Sequence, residues 1–188
     1  MRAIERRAYL RISDLAHIDY RIVTEKDIQT GDLNALLGLS HTFDLRKQMY
    51  RLELEAMELR REISEMDRKL GTFLHNLNQR LELITTVVAA AETSDAASNV
   101  IELSPAGVSF VADSLYPEDT LMAIKLELRN TSLSIASFAR VRYCLLSDND
   151  SYRIGLQFTS LDMPTEALLE RHISALQAEA RRKRLHKL

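Results

Sequence analysis

The sequence predicts an α+β chain in which a small antiparallel β domain is interrupted by a long helical segment. Two observations carry this. From Val100 to Thr159, short stretches that alternate apolar and polar residues are separated by turn residues, the pattern of half-buried antiparallel strands. Between Leu45 and Leu77 apolar residues instead recur at steps of four and three, the 3.5-residue period of helices that supercoil around partners. A further alternating stretch, His17-Ile18-Asp19-Tyr20-Arg21-Ile22-Val23, precedes the helical segment. One piece of the β domain is therefore expected before the insertion and the rest after it.

Taken in order, Met1 to Arg11 carries four arginines and no apolar core behind them, so no signal peptide is expected there. Thr24-Glu25-Lys26-Asp27 has the form of a capping box, with aspartate at the third helical position, and opens a helix that Gly38 can end. Ser40 or Thr42 can cap the long helix that follows. In that helix Met49, Ala56, Ile63, Leu70 and Leu77 take the a positions, and Leu45, Leu52, Leu59, Met66 and Phe73 the d positions. These identities do not select an oligomer number. A second apolar stripe, Tyr50, Leu54 and Met57, requires further strands or covering helices.

The helical block ends near Thr93, and Ser94 to Asn99 is a small polar linker. Val100 to Val111 reads as two short strands around a turn at Pro105-Ala106. Leu121–Leu128, Leu133–Leu146 and Tyr152–Thr159 continue the series, which fits a small barrel or sandwich. Pro164 suits a first helical turn, and Ala167 to Leu185 is a final amphipathic helix ending in Arg181-Arg182-Lys183-Arg184. The division is then a β domain over residues 1–23 and 98–188, and an insertion over 24–97 with a coiled-coil helix over about 42–76.

The insertion must end near where it began if the flanking strands pair. A continuous helix from Thr42 to Thr93 would span about 75 Å and prevent this. A break near His75-Asn76-Leu77-Asn78 is expected, where the heptad loses step, with Gly71 as the rival hinge.

Composition narrows the function. The 188 residues are 46% hydrophobic with a net charge of −2, so no global field recruits nucleic acid or an anionic membrane. No run approaches the ~20 apolar residues of a membrane span. A lone Cys144 excludes an intrachain disulfide, and a soluble, cytoplasmic protein is expected. The five histidines are scattered, the five glycines form no phosphate loop, and Ser104 sits in a turn rather than a nucleophile elbow. No catalytic or metal site is expected, nor any cofactor, and the chain reads as non-enzymatic. Arg7 and Arg11 form R-x-x-x-R just before a strand. Guanidinium forks there can take phosphate oxygens or a guanine edge, although spacing alone fits a solvated basic tail more simply.

Glu5-Arg6-Arg7-Ala8-Tyr9-Leu10-Arg11-Ile12 resembles the R-x-x-x-R start of PilZ domains. Glu102-Leu103-Ser104-Pro105-Ala106-Gly107 lies where that family carries D/N-x-S-x-x-G, and Tyr152 to Phe158 followed by a helix is also similar to it. The resemblance implies a bacterial β-barrel receptor for cyclic di-GMP. Arg6, Arg7 and Arg11 would hold the ligand, with Glu102, Ser104 and Gly107 on the barrel side. Glutamate at 102 departs from the family pattern, and a shorter aspartate there is expected to strengthen binding. The helical interruption resembles an atypical tetrameric branch of the family. It implies a homotetramer on a parallel coiled coil, with Leu45, Met49, Leu52, Ala56, Leu59, Ile63, Met66, Leu70, Phe73 and Leu77 as its seam. The alternative is a structural adaptor that has lost the ligand and works through a protein partner.

Overall fold

The structure, a computed structural model, describes residues 11–92, 98–129, 133–147 and 150–185. Six strands form a closed antiparallel barrel: β1 (Ile12–Ile22), β2 (Asn99–Ser104), β3 (Gly107–Ala112), β4 (Leu121–Leu128), β5 (Ser134–Leu146) and β6 (Tyr152–Phe158). Their order around the barrel is β1-β2-β3-β6-β5-β4. β1 closes it. Its first half pairs with β2, Ala16 opposite Asn99, and its second half with β4, Ile22 opposite Met122. The strand expected over 17–23 is thus the second half of a longer one. Closure leaves no open edge to aggregate.

Alternation sorts the barrel side chains. Ile101, Leu103, Val108, Phe110, Ile154 and Leu156 point inward and are buried. Each contributes roughly 1.5–3 kcal/mol of transfer free energy. Helix α5 (Met163–Leu185) packs over β1 and β2 and adds Leu168, Leu169 and Ile173 to the same core. Its buried His172 lies 2.9 Å from Asp14 of β1. The Asp162 carboxylate accepts the Thr165 N–H at 2.8 Å and so caps α5. Partial burial pushes that carboxyl up, but the Thr165 hydrogen bonds and the Lys47 ammonium outweigh it and hold it below the usual range.

The described residues of the insertion form four helices: α1 (Glu25–Thr30), α2 (Leu33–Leu37), α3 (His41–Met66) and α4 (Arg68–Glu92). The Thr24–Asp27 capping box is present. The single helix expected from there to Gly38 is two, because Gly31 ends α1 at φ +68° and Asp32 restarts the chain by accepting from Ala35 N–H. These short helices lay Ile28, Leu33, Leu36 and Leu37 over Val23, Ala123 and Phe138. That cover explains why the first half of β4 carries Leu121 and Ala123 on its outer face. Ser40, one of the two expected caps, accepts from Phe43 N–H at 3.1 Å and opens α3.

The long helix breaks at Asp67, not at His75–Asn78, and Gly71 lies within α4. Asp67 is extended (φ −140°, ψ 105°) and its N–H closes α3 on the Ile63 carbonyl at 2.7 Å. Its carboxylate then accepts the Lys69 and Leu70 N–H groups at 2.9 and 3.1 Å. A short carboxylate that can cap a new helix competes with continuing the old one, and the 3.5 periodicity carries no trace of it. No single coiled-coil helix over 42–76 exists. The two helices are about 39 and 38 Å long at 1.5 Å per residue, so the second returns the chain over the length of the first. They pack on each other, and at Gly71 a Cβ would stand 2.7 Å from Ser64 Cα.

The expected seam is therefore divided. Leu45, Met49, Leu52, Leu59 and Met66 are exposed on α3, and Leu70, Phe73 and Leu77 on α4, while Ala56 and Ile63 are half-buried. Of the second stripe, the Leu54 side chain lies outside what the structure describes, and Tyr50 and Met57 are not covered by flanking helices as expected. Tyr50 is buried in the barrel core and Met57 meets Arg171 of α5. No helix among the described residues is long and apolar enough to cross a membrane.

The first half of α3 is anchored by a buried cation. Arg46 is 6% exposed and donates to the Leu128 carbonyl at 2.9 Å, with Glu127 at 3.8 Å. Lys125 bridges the other Glu127 oxygen and Asp19 at 3.2 and 3.1 Å. Burial works to lower the Lys125 pKa, but the two carboxylates outweigh it and raise it. Arg46→Ala leaves buried acceptors short of a partner, and urea unfolding should show a loss of about 3 kcal/mol. A change within about 0.5 kcal/mol, the range of ordinary surface substitutions, would mean that the anchor is not structural.

Candidate functional site

The barrel registers build a site on the outer face of β2, β3, β6 and β5. Glu102 stands opposite Ser109, Ser109 opposite Gly155, and Gly155 opposite Tyr143. On the turn side the next row is Ser104, Gly107, Gln157 and Arg140, and on the other side Val111, Arg153 and Leu145. Two small residues thus make a floor between a carboxylate and an aromatic ring. Gly155 is required there, since a Cβ would overlap the Tyr143 ring that lies on it.

Tyr143 reaches this face through a bulge. Val141 pairs with Leu156 inside the barrel, yet Tyr143, two residues on, pairs with Gly155 outside it. The extra residue, Arg142, inverts the alternation and re-aims everything after it. Cys144 consequently pairs with Ile154 on the inner side, where its Sγ accepts from Tyr116 N–H at 3.5 Å.

Arg11, the residue before β1, spans the site. Its Nη1 donates to Tyr143 Oη at 3.1 Å and lies 3.5 Å from Glu102 Oε2, and its guanidinium carbon is 6.0 Å from the ring centre. The Tyr143 hydrogen bond and the Glu102 charge raise the Arg11 pKa although partial burial opposes them. Arg153 holds the other Glu102 oxygen at 3.2 Å. Arg142 donates to Gln157 Oε1 at 2.6 Å and to Asp119 Oδ1 at 3.4 Å. A cavity of about 280 Å³ opens among Arg11, Glu102, Ser104, Gly107, Arg142 and Tyr143. Guanidinium forks beside an aromatic ring suit a phosphate joined to a flat base.

Four expected site residues, Arg11, Glu102, Ser104 and Gly107, are thereby brought together. Arg6 and Arg7 lie outside the described residues. Ser104 is buried and its hydroxyl donates to the Gly107 carbonyl at 3.1 Å, so it fastens the β2–β3 turn. The same turn is held to β6 by the Phe158 N–H on the Ala106 carbonyl at 3.0 Å. Sequence reasoning missed Tyr143, Arg142, Arg153 and Gln157 as site residues. Arg153 and Gln157 alternate outward in a regular strand and were open to detection, whereas Tyr143 was hidden by the bulge. Larger cavities of about 510 and 330 Å³ border α3, but their lysine, Lys47, is engaged by Asp162 at 3.1 Å. Among the described residues no cluster of histidine, cysteine, aspartate and glutamate fits a metal ion.

The PilZ domain family model matches residues 76–175, more than half of the chain, and the chain belongs to that family. A pathogenic protein from Xanthomonas campestris, described as a tetrameric PilZ domain self-assembled via a helical bundle, shares the fold with a TM-score of 0.56 at 16% identity. That match covers 93% of this chain and 91% of the other. Escherichia coli YcgR, solved in complex with c-di-GMP, matches at 18% identity and a TM-score of 0.42 over 50% of this chain and 41% of its own. Bacillus subtilis MotI/DgrA, an inhibitor of motility, matches at 15% identity and 0.39 over 45% and 44%. No curated protein matches the chain.

Proposed function

We propose that this chain is a non-enzymatic, cytoplasmic receptor for cyclic di-GMP that self-assembles through its helical hairpin. The observation that supports ligand binding best is the cavity that Arg11, Arg142 and Tyr143 line beside the Ser104–Gly107 turn, with Arg11 held against the Tyr143 ring. This is the face on which the family resemblance puts the nucleotide. The cavity has room for a base or a phosphate rather than a whole dinucleotide. The remainder of the ligand would lie along the rim of the cavity. The second reading, an adaptor that has lost the ligand, draws on Glu102, whose carboxylate already engages two of the arginines.

Assembly is supported by the hairpin surface. Leu59 and Phe73 are 60% and 62% exposed, and Leu45, Leu52, Met66, Leu70 and Leu77 are exposed with them. On α4, Leu77, Leu81, Leu83, Ile84 and Val87 are all exposed and spread over about 160° at 100° per residue. That is wider than the seam of a two-stranded coil and calls for a bundle of several helices. The reading is a tetramer assembled through these hairpins rather than through one parallel coil, in line with the tetrameric helical-bundle assembly described for the Xanthomonas protein, with a downstream protein as the partner it serves.

Two measurements test these parts separately. In calorimetric titration with cyclic di-GMP, Arg11→Ala should bind at least about tenfold more weakly, since charge-assisted hydrogen bonds are worth about 1.5–3 kcal/mol. Unchanged affinity would remove Arg11 from the site. In light scattering coupled to size exclusion, Leu59→Lys should reduce the mass to that of a smaller species, because it places charge in a desolvated interface. Arg61→Glu, on an exposed residue outside the seam, should not. Leu59 is a cleaner probe than half-buried Ile63, and an unchanged mass would refute assembly through α3.

A further inference from the structure

The nucleotide reading leaves one side chain unexplained, the glutamate at position 102. Its two oxygens are divided between two arginines from opposite sides of the site, Arg11 before β1 at 3.5 Å and Arg153 on β6 at 3.2 Å. The second contact crosses β3, and the row between Glu102 and Tyr143 holds only Ser109 and Gly155. A carboxylate with two oxygens between two guanidinium groups has the charge and hydrogen-bonding pattern of a bridging phosphate. The same Arg11 Nη1 also touches Tyr143 Oη, so the contact fixes Arg11 against the ring.

Resting on the nucleotide reading above, we propose that Glu102 is an internal competitor. It occupies Arg11 and Arg153 in the empty protein and must be displaced when a phosphate-bearing ligand enters. The contacts are the right strength for such a gate. Glu102 and its partners are roughly 36–45% exposed, and exposed pairs of this kind each shift an equilibrium by only about two- to fivefold. They hold the arginines in the absence of ligand and yield to a doubly charged one. Losing the Glu102 charge also removes its repulsion of the incoming phosphates. Aspartate, one methylene shorter, cannot span both arginines and should release at least one of them. The expectation that aspartate improves binding thus acquires a cause, the release of the arginines rather than a better ligand contact.

The test compares full-length wild type, Glu102→Gln and Glu102→Asp. NMR of arginine Nε–H groups should show Arg11 and Arg153 ordered in the ligand-free wild type, and in Glu102→Gln Arg153 mobile and Arg11 left with its Tyr143 hydrogen bond alone. Titration with cyclic di-GMP should show Glu102→Gln binding about tenfold tighter than wild type, with Glu102→Asp between them. Equal or weaker binding by Glu102→Gln overturns the competitor while leaving the nucleotide reading intact, because wild type still binds. If wild type fails to bind and Glu102→Gln binds, the competitor is supported in its strongest form. Binding by none of the three sinks the nucleotide reading, and the competitor falls with it.

Discussion

The structure depends on a single topological demand made by β1. This strand pairs with β2 at one end and β4 at the other, and the helical insertion leaves the chain between β1 and β2. Whatever is inserted must therefore come back to the barrel it left. A long helix cannot satisfy that alone, because each residue carries the chain about 1.5 Å further away. Two helices of nearly equal length, reversed at one residue, can. The reversal at Asp67 and the buried anchor at Arg46 are local chemistry serving that demand, one turning the hairpin and the other fixing its base to the barrel.

The same closure shapes the candidate site. With every strand edge paired, a ligand has no edge to extend and must lie on the outer face. That face is usable where its residues are small, at Ser109 and Gly155, and where a bulge turns Tyr143 out to form a wall. Arg11 and the insertion sit at opposite ends of β1. The strand that closes the barrel thus has Arg11 just before its start and the helical insertion just after its finish. Charge is balanced locally across the face: Arg11 and Arg153 by Glu102, Arg142 by Asp119. A chain of net charge −2 in this way presents guanidinium groups without a basic surface at large.

Much of this was legible in the sequence because the relevant signals are periodic. Period-two alternation placed β2 to β6 within a residue or two, the Thr24 capping box was readable as written, and Ser40 was one of two caps the sequence offered for the long helix. The period of 3.5 marked a long amphipathic helical stretch, and the pairing of strands on both sides of it required a chain reversal. The reversal point was not legible, because a single aspartate ends and restarts a helix through its own side chain without disturbing the heptad. Gly31 likewise split a short helix that Gly38 seemed sufficient to end. In the site, Arg11, Glu102, Ser104 and Gly107 followed from motif resemblance. Tyr143 did not, since a bulge changes which face a residue occupies and leaves no mark in the alternation.

The central claim is that the insertion is a hairpin reversed at Asp67, and a distance across it is the direct test. Nitroxide labels at Gln48 and Arg80, in a chain with Cys144→Ser and diluted with unlabelled protein, report that distance by pulsed electron resonance. Packed antiparallel helices put the two positions within about 25 Å of each other. A distance near 48 Å, the span of an unbroken helix between them, would contradict the account.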